Sequence, residues 1–186
     1  MKAKIIITLV LFLCFTAFLS TEMAATESGE SWSPVKFSLW PGIWGTPAKA
    51  DIDGINFGFV TFSGKNQKIA GLDAGLFSSQ TGHVTGMQTA IFSTYSRRQM
   101  EGLQLSVFTN SYEDGNGVQL SLINLADNAE TSVQIGLGND VVKSNSIFQL
   151  GFINSAEESY GLQIGLLNRN DKGFIPACFF FNFSSK

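Results

Sequence analysis

Cysteine, histidine and charge are all scarce in this chain. Its 186 residues hold two cysteines and one histidine. Cys14 falls inside an apolar N-terminal run, which leaves Cys178 alone in the remainder, so no intramolecular disulfide can staple the fold. One histidine and one such cysteine cannot assemble a conventional zinc site. His83 is also the sole general base on offer for a Ser–His–acid arrangement; Ser78 and Ser79 are near it in sequence, but nothing fixes them against it. No glycine loop runs into Gly-Lys-Ser/Thr, and Gly64-Lys65 sits in a return, so a phosphate cradle is absent. Asp, Glu, Lys and Arg make up 15% of the residues, well under the quarter usual for a soluble domain. A net charge of -3 without a basic stripe excludes nucleic acid as a partner. The expectation is a non-enzymatic chain with no cofactor and no metal.

What is present is a phrase. Gly161-Leu162-Gln163-Ile164-Gly165-Leu166-Leu167-Asn168 returns, with decreasing fidelity, as Phe148–Asn154, Val133–Asn139, Val118–Asn124 and Leu103–Val107. Looser copies are Met87–Ile91, Leu72–Leu76 and Ile55–Phe59. The units start at Gly54, Gly71, Gly86, Gly102, Gly117, Ser132, Ile147 and Gly161, in steps of 17, 15, 16, 15, 15, 15 and 14 residues. A period this short leaves no room for a helix, so each unit is a strand plus its return. Strict alternation, with Leu103, Leu105 and Val107 on one face and Gln104 and Ser106 on the other, is the strand signature. Gly, Asn and Asp dominate the polar returns such as Tyr112–Asn116 and Arg169–Gly173, because these residues tolerate positive φ.

An all-β fold of tandem units of about 15 residues follows, and two architectures can carry it. In a β-solenoid each unit is one coil, and like residues stack at about 4.8 Å. Gln88, Gln104, Gln119, Gln134, Gln149 and Gln163 then form a ladder of side-chain amides. Asn124, Asn139, Asn154 and Asn168 mark the turn, in a left-handed conformation. In an antiparallel up-and-down meander each unit is one strand of a barrel of about ten strands, soluble or set in an outer membrane. A thin solenoid needs apolar residues from both walls, and the returns offer only scattered ones such as Val84, Tyr95, Tyr112, Leu125, Val142 and Tyr160. In either case the apolar face is expected to be hidden, in core or lipid. The Gln row, joined by Ser106, Ser121, Gly136, Gly151 and Gly165, is expected as a flat polar stripe. That stripe is either structural or a surface for a glycan, a protein or a neighbouring subunit. On this assignment Leu150→Asp abolishes folding and Gln149→Ser is mild.

Four regions divide the chain. Residues 1–25 read as a signal peptide, with Lys2 and Lys4 before an apolar run from Ile5 to Leu19 that is short for a membrane span. Residues 26–50 are a polar leading segment with a first short strand at Lys36–Trp40 and a loop from Pro41. Trp32, Trp40 and Trp44 there either cap the core or sit at a membrane interface. Residues 51–173 are the repeat region, and 174–186 a closing aromatic strand. Asp51–Gly54 and Glu113–Gly117 have the oxygens of a calcium loop but match no calcium motif, and they equally fit ordinary turns. Arg97-Arg98 reads as an isolated, solvated pair.

Tandem Gly-Leu-Gln-x-Gly-Leu-x-Asn units, with Gly54–Gly58 and Gly71–Leu76 ahead of them and Phe174-Ile175-Pro176 through Phe183 behind, resemble bacterial surface-repeat proteins. The resemblance spans about residues 37–183 and departs from the pattern at Ser106, Ser121, Ser132 and Ile147. It implies export to a cell-surface, outer-membrane or secreted setting, and it implies no reaction.

Overall fold

The computed structural model describes residues 32–40, 43–45, 51–64 and 66–185; in the first strand the side chains described are those of 33–37. Residues 1–25, and the side chains of Trp32, Trp40 and Trp44, lie outside the described set. Among the described residues there are nine strands and no helix. They are β1 (Trp32–Trp40), β2 (Ile43–Gly45), β3 (Asp51–Phe62), β4 (Lys68–Ala90), β5 (Ser93–Ser106), β6 (Thr109–Leu120), β7 (Ile123–Ile135), β8 (Gly138–Asn170) and β9 (Ala177–Ser184). Among the described residues no helix is long and apolar enough to cross a membrane.

Strand direction decides between the two architectures. β1 pairs with β3, and each strand from β3 to β7 with its successor, in parallel. Parallel pairing of consecutive units one period apart is a solenoid; a meander would alternate. The register is that of the sequence repeat: Gln88 lies beside Gln104, Gln104 beside Gln119, Gln119 beside Gln134 and Gln134 beside Gln149. About seven coils stack this way. Both ends are closed by an antiparallel strand, β2 on β1 and β9 on the stretch Gly161–Arg169 of β8. The register of β9 shifts between Gly165 and Asn168, near Phe180 at φ 70°. Such an irregular antiparallel cap does not continue the parallel stack, and it blunts an edge on which a further chain could grow.

Glycine is required where the coils approach most closely. Gly86, Gly102 and Gly161 have φ of 128°, 136° and 138°, and a Cβ at each would run into the backbone oxygen of the coil beneath. At Gly117 φ is not positive. The same row can therefore carry Ser132 and Ile147 in the next two coils, and their side chains enter the core at 1% and 4% exposure. These two departures from the repeat thus fall in a row where Gly117 already lacks a positive φ.

The expected faces are exchanged. Among the described residues thirty polar or charged side chains are buried against twelve apolar ones, and twenty-eight large apolar side chains are exposed. All six repeat glutamines are 0% exposed, whereas Leu120, Leu150 and Leu137 are 45%, 42% and 55% exposed. Ser106, Ser121 and the Gly136, Gly151 and Gly165 positions of the same row also face inward, toward the Asn row. The physical reason is the corner. The middle coils bend at Ile91-Phe92, Val107-Phe108, Ser121-Leu122 and Gly136-Leu137, and the inside of so narrow a bend holds side chains that bond along the stack. Apolar packing is confined to the far side, where Val84, Met100, Tyr112, Ala126, Val141 and Ile147 form one cluster. Of the return residues named as possible core, Val84 and Tyr112 are in it and Val142 is exposed.

Candidate functional site

Two amide ladders fill the corner side of the core, and they run in opposite directions. Each glutamine donates one Nε2 hydrogen back to the Oε1 of the glutamine before it, from Gln104 to Gln88 (2.9 Å) through Gln163 to Gln149 (2.7 Å). The other hydrogen goes to a main-chain oxygen six or seven residues on, Ser111, Leu125, Asp140, Ser155 or Arg169. Each asparagine donates forward instead: Asn110 to Asn124, Asn124 to Asn139, Asn139 to Asn154 and Asn154 to Asn168, at 2.7–3.2 Å. These asparagines turn the chain without left-handed backbone, since Phe180 is the only non-glycine at positive φ among the described residues. Buried amides with both hydrogens bonded incur little desolvation cost.

The glutamine ladder has an anchor that the repeat does not announce. Asp73 occupies the Gln position of an early coil, fully buried. It accepts from Asn56 Nδ2 (2.7 Å), Ser79 Oγ (2.6 Å), Thr81 Oγ1 and Gln88 Nε2 (3.3 Å). A carboxylate only accepts, so Gln88 must point its nitrogen at Asp73, and every later glutamine follows. Lys36 is buried as well, donating to the Phe62 carbonyl at 3.2 Å. Its burial lowers its pKa, and Asp73 works against that shift. Ahead of the glutamines the row reads Lys36, Asn56, Asp73.

The other candidates scatter. His83 is half-buried in β4 beside Gln99, in a strand and not in a turn. Ser78 bonds Ser93 (3.0 Å) and Ser79 bonds Asp73, both inside the core. The triad partners suggested by sequence proximity are therefore committed elsewhere. Asp51 is exposed and receives the Lys68 N–H at 2.9 Å, and Glu113–Gly117 belongs to β6. Among the described residues no three His, Cys, Asp or Glu side chains gather. Arg97 is not free in solvent: it donates to Gln80 at 3.2 Å and lies over the Phe62 ring at 5.0 Å. Cys178 is half-exposed on the cap strand.

The outer surface carries the other half of the pattern. From Ile55 to Leu167 no outward position between the Gly row and the Asn row is charged. Outside the corner seven successive coils present an apolar pair or its remnant: Leu76-Phe77, Ile91-Phe92, Val107-Phe108, Leu122-Ile123, Leu137-Gly138, Phe152-Ile153 and Leu166-Leu167. Phe59, Phe77, Phe92 and Phe108 stack in file, with centroids 4.2–6.1 Å apart. Beside this ridge lies a shallow apolar groove of about 890 Å³, walled by Leu105, Leu120, Ile135 and Leu150 on one side and Leu122 and Leu137 on the other. The opposite edge is charged: Arg98, Glu101, Glu113, Asp114, Glu130 and Lys143 line a groove of about 860 Å³.

Acidic side chains flank the coil on its second side, and two of them are strained by it. Burial raises the Asp140 pKa above the usual carboxylate value, with Glu157 adding to the rise and Ser155 and Arg169 opposing it. Asp127 moves the same way through burial and its acidic neighbours Glu113, Asp114 and Asp140. A carboxyl whose folded pKa is raised contributes stability that is complete below the unfolded pKa and is lost as pH rises through the folded value. Asp140→Asn is therefore expected to raise the thermal midpoint at neutral pH, by an amount worth less than about 1 kcal/mol because solvent screens a partly exposed charge. It should leave stability below the ordinary carboxylate pKa unchanged. Thermal denaturation of both proteins across that range checks it.

Compared with known proteins, the chain matches no family model, no curated protein and no solved structure.

Proposed function

We propose that the chain is an exported, envelope-associated repeat module without catalytic activity, whose interaction surface is the apolar outer face. One observation carries this: a charge-free apolar surface runs the length of the stack while the amides are turned inward. Soluble monomers rarely expose apolar patches above about 300–600 Å² without using them. At roughly half of the 150–250 Å² an aromatic ring can bury, the exposed phenylalanines of this face alone reach that range. The signal-like residues 1–25 and the resemblance of the tandem units to bacterial surface-repeat proteins support the exported setting.

Cell fractionation tests the location. With a C-terminal epitope tag, the full chain is expected in the envelope fraction, and a version lacking residues 1–25 in the cytoplasm. Equal cytoplasmic recovery of both would defeat the proposal. His83→Ala is expected to leave folding and location unchanged.

A further inference from the structure

The geometry points to a bilayer leaflet as the occupant of the apolar face: we propose that the solenoid lies on a membrane with its corner ridge in the acyl boundary and its charged edge in water. This rests on the envelope reading above and names the partner for the same surface.

Three features favour lipid over a second protein surface. The first is hydrogen bonding. Protein interfaces carry about one hydrogen bond per 100–200 Å², yet on this face from Ile55 to Leu167 Thr89 is the single side chain able to make one. The second is register. The face repeats itself at about 4.8 Å per coil, so another copy sliding along it by one coil meets nearly the same surface and nothing defines a unique pairing. Fluid acyl chains need no register. The third is shape. The most prominent apolar pairs sit outside a sharp bend, and two convex ridges bury little against each other, whereas lipid closes around them.

The face also continues past the repeats. In β9, Phe181 lies beside Ile164 and Phe183 beside Leu162, at 65% and 54% exposure. The whole body is thus amphipathic in the manner of an interfacial helix, with the apolar side inserting to a depth of about 5–10 Å. The charges are on the opposite edge and the second side, and none is on the apolar face, so attachment is hydrophobic and not electrostatic.

Flotation with vesicles of phosphatidylethanolamine and phosphatidylglycerol tests this, using the chain as the cell delivers it. The chain is expected to float with vesicles equally well at low salt and in about 1 M NaCl, where surface charge is screened. Leu122→Glu/Leu137→Glu should lower flotation at least about tenfold, since charge on a lipid-facing position is strongly disfavoured. Those side chains are 40% and 55% exposed, so circular dichroism should show an unchanged fold, and the loss cannot be assigned to the N-terminal apolar run. Should that variant not fold, an environment-sensitive NBD label on Leu137→Cys, in a Cys14→Ser/Cys178→Ser background, decides. Its emission should brighten several-fold with vesicles, while a label on Glu130→Cys should not change. The proposal is overturned by a chain that stays at the bottom of the gradient, including as a dimer, by release in high salt, or by equal brightening at the two positions. Failure here with correct envelope location would dismiss lipid as the occupant; flotation of a chain found in the cytoplasm would instead dismiss the location.

Discussion

Gln134→Leu is expected to destabilise the protein by about 3 kcal/mol or more, although it replaces an amide in the core with a residue that usually favours one. Gln134 Nε2 bonds Gln119 Oε1 at 2.8 Å and the Asp140 carbonyl at 2.9 Å, and its Oε1 receives Gln149 at 2.7 Å. Leucine would leave all three groups buried without a partner, at about 1–3 kcal/mol each, against a smaller gain from the added apolar contact. The neighbouring outward position should behave in the opposite sense. Leu150 is 42% exposed, so Leu150→Asp is expected to stay within about 1 kcal/mol, as surface changes usually do. Urea denaturation of the two variants compares them directly. A stable Gln134→Leu beside an unfolded Leu150→Asp would restore the hidden-leucine arrangement.

Asp73→Leu should have an effect of similar size. Four donors converge on this carboxylate, and the buried Lys36 is influenced by it. Leucine would leave those buried donors without an acceptor, at about 1–3 kcal/mol each, and would remove the charge that opposes the lowering of the Lys36 pKa. Lys36→Met in the same protein should recover part of the loss, so that the double variant is destabilised by less than the sum of the two. Strict additivity in this cycle would show that the two charges do not act together, and that the anchor is the hydroxyl and amide cluster alone. Either way the defect enters at the coil that orients Gln88, so the early coils should lose protection from hydrogen exchange first.

Much of the fold was legible because a ladder needs the same residue at the same place in every coil. The Gln-to-Gln spacing is itself the register, and the Gly row marks where coils touch. The side of the sheet was not legible. Alternation assigns Leu103 and Gln104 to opposite faces, but it does not say which is inside, and the rule that hydrophobic residues go in chose wrongly. A signal was available in the doubled apolar pair, such as Leu122-Ile123 between the Ser121 and Asn124 positions. Two consecutive residues facing the same way require a corner, and the wide outer side of a corner holds the pair while the single Gln and Asn rows go within. Asp73 could also have been read, as an acid in a Gln column where a solvent stripe would not need one. Lys36 was beyond reach, because its place in that column depends on β1 lying beside β3, outside the regular period.

Thiol labelling at two adjacent positions tests most directly which face is inside. Gln149→Cys and Leu150→Cys, each in a Cys14→Ser/Cys178→Ser background, are treated with a water-soluble maleimide in aqueous solution without lipid. The Leu150→Cys thiol should react rapidly in the folded protein, and the Gln149→Cys thiol only as fast as the protein unfolds. Rapid labelling at 149 with protection at 150 would contradict the buried amide ladder, and with it the apolar outer face.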